Sequence, residues 1–491
     1  MSARLVLTLA LGCAVAQAQA IPERPEQLTF KTLEFQTPKA KDAKVRLKNG
    51  IHAFLAPDPG GAPLVRLTVS WKGGAYLDPA GKTGLAQLCG SQLAQGGTAT
   101  RTPEQVEELL EQTAASLSSR TGETEGSLSL QCLEKDFDAT YALLLEHLQS
   151  PGFAASRLEL ARRSQRQALE RRNDAVTSIA PAELARLMFG ESHFLGRDVT
   201  AATLGALTRE DLLAFHARLL HPANLVVSAS GRFDRKALVA KLNATLGAMK
   251  PGKEAQISPK VPASDHARKP GIYVVDKPAA QAMVSWAFPG LRRSDPDWHA
   301  AFVMNQLLGG GGFASRLTRT IRSNEGLTYG VRTALGEGPH FRGDLTGSSQ
   351  TSHKTVAYLL RLALGEMQKL KDAPVPEADL KVIKDAIIES FPARWSNKQA
   401  LVGTLAGEAL AGWPEDWWQD YRQKIQAVTP ADVQRLAKRL LDPSQAIILA
   451  VGRAQEMEAG DADHPGPLKA VAPLPMVRLP LRDPLTLQPL Q

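Results

Sequence analysis

At 491 residues the chain exceeds what one hydrophobic core can organise and implies several domains. Its 43% hydrophobic and 22% charged residues are ordinary for a soluble globular protein. The formal charge of +8, from 58 basic against 50 acidic residues spread along the chain, comes without a Lys/Arg block or basic–aromatic alternation, which argues against a nucleic-acid partner and leaves solubility and some steering of acidic ligands.

Met1 to Ala20 reads as a secretion signal, with Arg4 as the positive start, Leu5–Val15 as the apolar stretch and Ala18-Gln19-Ala20 as the cleavage site. Lipidation at Cys13, after Ala10-Leu11-Gly12, is the rival reading. No later segment offers the roughly 20 apolar residues of a spanning helix. The mature chain is therefore expected to be exported, and periplasmic in a Gram-negative source. Cys89 and Cys132 remain after cleavage; export permits a disulfide, but two cysteines make no framework and two buried thiols are the simpler expectation.

Residues 21–41 read as an extended, Pro-containing arm. A strand pair follows, Val45–Leu47 and Ile51–Leu55, turning at Lys48-Asn49-Gly50. Leu64–Trp71 is a further strand, and Gly84–Gln95 a helix stopped by Gly96-Gly97. Thr102 caps a second helix running to Ser116, with Pro103 at its first position. Strands over Leu117–Arg120 and Gly126–Glu134 and helices over Phe137–Leu148 and Arg157–Asn173 complete this region.

The chain then repeats itself. Thr208-Arg209-Glu210-Asp211 opens a helix ending in Arg218-Leu219-Leu220, with Pro222, a strand and Gly231-Arg232 after it. Thr429, Asp432, Arg439-Leu440-Leu441, Pro443 and Gly452-Arg453 repeat those residues 221 positions later. Val69-Ser70-Trp71 also recurs as Val284-Ser285-Trp286. Two homologous α+β halves are expected, at 42–250 and 271–455, joined by a Pro/Lys/Ser-rich linker at 251–270. The Pro-rich residues 456–491 read as a loosely ordered tail or a strap onto a partner.

Within the second half, Gly309–Val331 carries a short helix from Ser315, closed by Gly326, with Leu327, Tyr329 and Val331 alternating like a strand. Arg322 and Tyr329 can then come close together, and both donate hydrogen bonds to a carbonyl oxygen. On this local pattern alone, a solvated arginine and a packed core tyrosine are the favoured reading.

The first-half frame Gly73-Gly74-Ala75-Tyr76-Leu77-Asp78-Pro79, Gly81-Lys82-Thr83-Gly84-Leu85-Ala86 and Gly96-Gly97-Thr98 resembles the pitrilysin/insulinase (inverzincin) metallopeptidases, which include the mitochondrial processing peptidase. That family sets H-x-x-E-H between these landmarks, two zinc-binding histidines and a general-base glutamate on one helix. Here the five positions read Gln87-Leu88-Cys89-Gly90-Ser91, and Gln167 is the best match to the third ligand, a glutamate. The resemblance thus implies no metal or other cofactor in this chain. Neither His216 and His221, five apart, nor the isolated His147 and His193 restore a ligand pair. In the second half, Ser315-Arg316-Leu317, Ile321-Arg322, Gly326-Leu327 and Tyr329 match the family context S-R-L-x-x-x-(I/L)-R-x-x-x-G-L-x-Y. The resemblance makes Arg322 and Tyr329 the catalytic pair that holds the scissile carbonyl and its oxyanion.

The resemblance implies an α+β fold of two homologous α/β-sandwich halves, each a mixed sheet covered by helices, closing as a clam shell with a partner. In the related heterodimers one subunit carries zinc and the other the Arg/Tyr pair. This chain is similar to the second, a zinc-free subunit with zinc expected in the partner and an unfolded peptide as substrate. The alternative is a catalytically inactive structural or peptide-binding scaffold, like the core proteins of respiratory cytochrome complexes.

Overall fold

The computed structural model describes residues 34–263, 269–338 and 340–490. The expected secretion signal, with Cys13, and most of the 21–41 arm lie outside them, as does 264–268 of the linker. Of Met1–Gln36, only Glu34–Gln36 is described, and it carries no regular secondary structure. Thr37–Gln491 forms one unit.

The first sheet starts where the Asn-Gly turn was expected. β1 (Lys44–Arg46) and β2 (His52–Pro57) are antiparallel, joined through Gly50 at φ +94°. β3 (Leu64–Lys72) buries every second residue, Val65, Leu67, Val69 and Trp71, which is why a nine-residue run of alternating apolar residues holds its register. β4 (Ser116–Thr121), β5 (Glu125–Leu133) and β6 (Leu225–Gly231) complete the order β1-β2-β6-β3-β5-β4, in which β2–β6 is the parallel pair. The Thr102 helix is shorter than expected, Pro103–Gln112, and Ser116 already belongs to β4.

The second sheet repeats this plan. β7 (Gly271–Asp276), β8 (Ala282–Pro289), β9 (Val331–Leu335), β10 (Asp344–Thr351), β11 (Ile447–Gly452) and β12 (Met476–Leu479) lie in the order β12-β7-β11-β8-β10-β9. β7–β11 corresponds to β2–β6 and is likewise parallel. Thr208 and Thr429 each close a capping box, with Asp211 and Asp432. The repeated tryptophans have a shared reason: Trp71 faces Gly126 across β3–β5, and Trp286 faces Gly347 across β8–β10. A Cβ at either glycine would stand 2.4 Å or 2.1 Å from the indole, so each ring lies flat on bare backbone.

Sequence periodicity gives no hint of how the halves are joined. The helix Val176–Phe189 of the first half packs on β8 and β11, putting Ile179, Leu184 and Met188 in one core with Ala287, Ile447 and Leu449. In return the helix Lys398–Ala411 of the second half covers β2, β3 and β6. Each sheet is therefore roofed by a helix of the other half. The linker residues are also tied down: Ser258 bonds Asn224 and the Lys72 carbonyl, and Tyr76 donates to the Pro259 carbonyl. The expectation of a loose tail or a strap onto a partner is corrected in the same way. β12 extends the second sheet alongside β7, and Arg482 pairs with Glu183 and Glu191 of the first half at 3.1 and 2.7 Å, so the tail straps the chain to itself. Among the described residues, no helix is long and apolar enough to cross a membrane.

Candidate functional site

The positions that carry the zinc motif in the resembled family sit on the helix Leu85–Gln95. Its start is fixed by Asp78, which accepts the Gly84 and Ala86 N–H groups at 2.8 Å each; burial pushes this carboxyl up and those two bonds pull it back. Gln87 and, on the neighbouring helix Ala155–Glu170, Gln167 point to solvent. Ser91 spends its hydroxyl on the Leu88 carbonyl. Gly90 is the telling residue. A Cβ there would stand 2.2 Å from the Thr121 backbone nitrogen and 2.6 Å from its Oγ1. Ser119 of β4 clasps the same turn, donating to the Gly90 carbonyl and accepting from the Ala94 N–H. The helix thus lies directly on the edge strand, in the volume where a glutamate side chain at position 90 would have to work.

Cys89 and Cys132 are free and buried, and burial raises both thiols, that of Cys89 strongly. His147 and His216 hold backbone carbonyls of Leu93 and Leu148 at 2.7 Å, as core histidines do; burial lowers His216 to about 4. His193 packs its ring against Phe189 and Phe194. Among the described residues, no three His, Cys, Asp or Glu side chains group as a metal site.

The second-half segment is built differently from its sequence pattern. After one α-helical step at Arg316-Leu317, Thr318–Asn324 winds as a π-helix, a form concentrated at functional sites. Ser315 does not cap it by side chain; its hydroxyl bonds Gly312 and Thr318. Gly326, at φ +64°, closes the helix as expected, with its N–H on the Arg322 carbonyl and the next N–H, of Leu327, on Ile321. Tyr329 is not on a strand, because β9 begins only at Val331. The loop is instead pinned by hydroxyls of β10: Ser349 Oγ donates to Thr328 Oγ1 and the Gly330 carbonyl, and Thr351 Oγ1 to the Leu327 carbonyl. These buried hydroxyls replace the strand bonds that the alternation suggested.

Nor is Tyr329 a core residue, since its side chain is 93% exposed on a backbone held on both sides. Arg322 stacks its guanidinium on the exposed Phe313 ring, 4.6 Å from the centroid. Among the described residues neither side chain has a hydrogen-bond or ion-pair partner. Both side chains thereby keep their hydrogen-bond donors unspent, Arg322 on the π-helix and Tyr329 on the loop that follows it. The supporting residues were missed in the sequence. Glu366, buried, holds Thr320 at 3.1 Å and Arg316 at 3.6 Å from a helix 40-odd positions on, and no local pattern links them.

Two family models match the chain: "Insulinase (Peptidase family M16)" at residues 58–195 and "Peptidase M16 inactive domain" at 206–387. A curated relative, the "Non-peptidase homolog YmxG" of Helicobacter pylori, is 26% identical over 77% of this chain and 86% of its own length. A solved peptidase M16 inactive domain from Pseudomonas fluorescens superposes with a TM-score of 0.75 at 22% identity, over 84% of this chain and 98% of that one. The periplasmic protease PqqL of Escherichia coli superposes with a TM-score of 0.70 at 17% identity, over 92% of this chain but only 49% of its own.

Proposed function

The chain belongs to the M16 (insulinase) peptidase family, and from that premise we propose that it is the zinc-free subunit of a two-chain metallopeptidase, lending Arg322 and Tyr329 to the zinc site of a homologous partner. The observation that carries this reading is an exposed tyrosine on a pinned loop and, one helix end away, a half-buried arginine stacked on Phe313, neither with a hydrogen-bond or ion-pair partner among the described residues. An oxyanion formed on a peptide carbonyl needs two such donors, and holding them in advance saves reorganisation during reaction. The chain supplies no group that activates water at position 90, so hydrolysis alone is not expected of it. No cofactor is assigned to it; zinc belongs to the partner, the substrate is an unfolded peptide and the compartment is the periplasm. The match that uses only 49% of the Escherichia coli protease supports an assembly of two such chains.

The test is peptidase activity of this chain alone, of a zinc-bearing relative from the same cell, and of the mixture. Activity that needs the mixture and falls about a hundredfold or more with Arg322→Ala or Tyr329→Phe is the expected outcome. A partner fully active by itself, or mutants that leave the mixture unchanged, would overturn the proposal. A scaffold that binds peptide or partner without catalysis would then lead, a reading favoured by the match to the inactive domain and by the closed Gly90–Thr121 contact.

A further inference from the structure

A groove of about 980 Å³ opens beside Tyr329, between the exchanged helix Val176–Phe189 and the outer face of the second sheet. Pro181, Leu184 and Met188 form its apolar wall. Its floor is a row of three residues in register across three strands, Ser285 on β8, Ser348 on β10 and Arg332 on β9. The duplication makes the same row in the first sheet: Ser70 on β3, Ser127 on β5 and Arg120 on β4. Two differences separate the copies. In the first half the corresponding groove, under the helix Lys398–Ala411, is only about 270 Å³. The first-half arginine also has a carboxylate at hand: burial raises the Glu125 carboxyl and Arg120 draws it back down. Glu125 and Ser127 are spaced on β5 as Thr346 and Ser348 are on β10, so threonine stands where the counter-charge would be. Among the described residues no Asp or Glu lines the second groove, and Arg332 has no hydrogen-bond or ion-pair partner.

We propose that the second groove is a selectivity site for an extended peptide carrying a large apolar side chain close to a carboxylate, the apolar group lodging against Leu184 and Met188 and the carboxylate pairing with Arg332 in place of the absent Glu125 equivalent. Adjacent strands lie about 4.8 Å apart and an extended chain advances about 3.3 Å per residue, so the floor from Ser285 to Arg332 spans about three peptide positions. The carboxylate is an Asp or Glu side chain, or the terminal carboxylate of a peptide ending there. This inference deepens the peptide-handling reading above and rests on it. It names which peptides are drawn toward Tyr329.

The experiment is fluorescence anisotropy on the full chain without a partner, using labelled nine-residue Ala/Ser peptides with a central Phe-Glu, Phe-Gln or Ala-Glu, and a peptide ending in Phe with a free or an amidated terminus. The Phe-Glu peptide is expected to bind about tenfold tighter than either control. Arg332→Gln should erase the Glu-over-Gln preference. Thr346→Glu, which rebuilds the first-half arrangement, should do the same by giving Arg332 an internal partner. Ala185→Trp should block all the peptides. Preference only for the free terminus would assign the carboxylate to a chain end. Equal binding of Phe-Glu and Phe-Gln with no preference for a free terminus, or a preference that survives Thr346→Glu, overturns the proposal. Because no zinc subunit is present, a failed activity assay with the partner leaves this result readable, and the reverse holds too.

Discussion

The two halves answer the same packing problem at equivalent places with opposite results for chemistry. In each, a helix glycine lies against a threonine of the edge strand: Gly90 against Thr121 of β4, and Gly309 against Thr333 of β9. In the first half the contact is with backbone nitrogen, and the helix positions around it carry an amide, a glycine and a serine already engaged with its own helix. In the second half the nearest atoms are those of the threonine side chain, and further along the same half Tyr329 stays exposed while the half-buried Arg322 keeps its hydrogen-bond donors unspent. A duplicated scaffold thus keeps its backbone contacts while one copy fills its reactive volume and the other displays its donors. The lesson is that loss of a motif can be structural as well as chemical, since the first half now needs its glycine.

That contrast can be broken first by reversing it. Gly90→Glu, alone or with Gln87→His and Ser91→His, should cost about 3 kcal/mol or more by overpacking against β4 and should yield no stoichiometric zinc on metal analysis. Gly309→Ala, which meets a movable side chain at 2.8 Å, should cost about 1 kcal/mol in parallel urea titrations. A stable, zinc-loaded triple variant would remove the steric account of the first half. Acid should next show where the halves agree. Burial lowers His216 in the first half and His299 in the second to about 4 from an ordinary 6.5. Both are held neutral by the fold, so their contribution is present above pH 6.5 and is lost as pH falls from there toward 4. For the fully buried His216 the loss approaches about 3 kcal/mol, and His216→Gln, which still offers the Leu148 carbonyl a donor, should flatten the stability profile in that window. The smallest effect falls on the display itself. Ser349→Ala should lower stability by only about 1 kcal/mol yet free the Thr328–Gly330 loop, read as faster amide exchange at Gly330 with the core strands unchanged.

Much of this was legible in the residues. The caps at Thr208 and Thr429, the Val-Ser-Trp repeat and the Gly-rich landmarks report local chemistry that each copy needs for itself, so the duplication and the family could be read directly. The Asn49-Gly50 turn and the Gly326 helix stop were equally visible, because both depend on backbone conformation that few residues supply. What escaped was decided at long range. The strand expected through Tyr329 fails because hydroxyls of Ser349 and Thr351, some twenty positions away, take the hydrogen bonds a neighbouring strand would have taken. The tail's prolines suggested looseness, yet Met476–Leu479 finds the open edge of β7. Which helix roofs which sheet leaves no trace in periodicity, since an apolar face reads the same whichever sheet it meets.

That reciprocal roofing has a consequence for biosynthesis. The first sheet is complete in strands once β6 has been made, but its covering helix, Lys398–Ala411, is synthesised about 180 residues later, a delay on the order of ten seconds or more at ordinary elongation rates. Through that interval Val176–Phe189 likewise has no sheet of its own to lie on until β11 follows. Neither half can then be cut out as an autonomous fragment without baring an apolar face. The earliest strands to be made are among the last to be sheltered, and a nascent chain halted between the two halves is the form most exposed to aggregation.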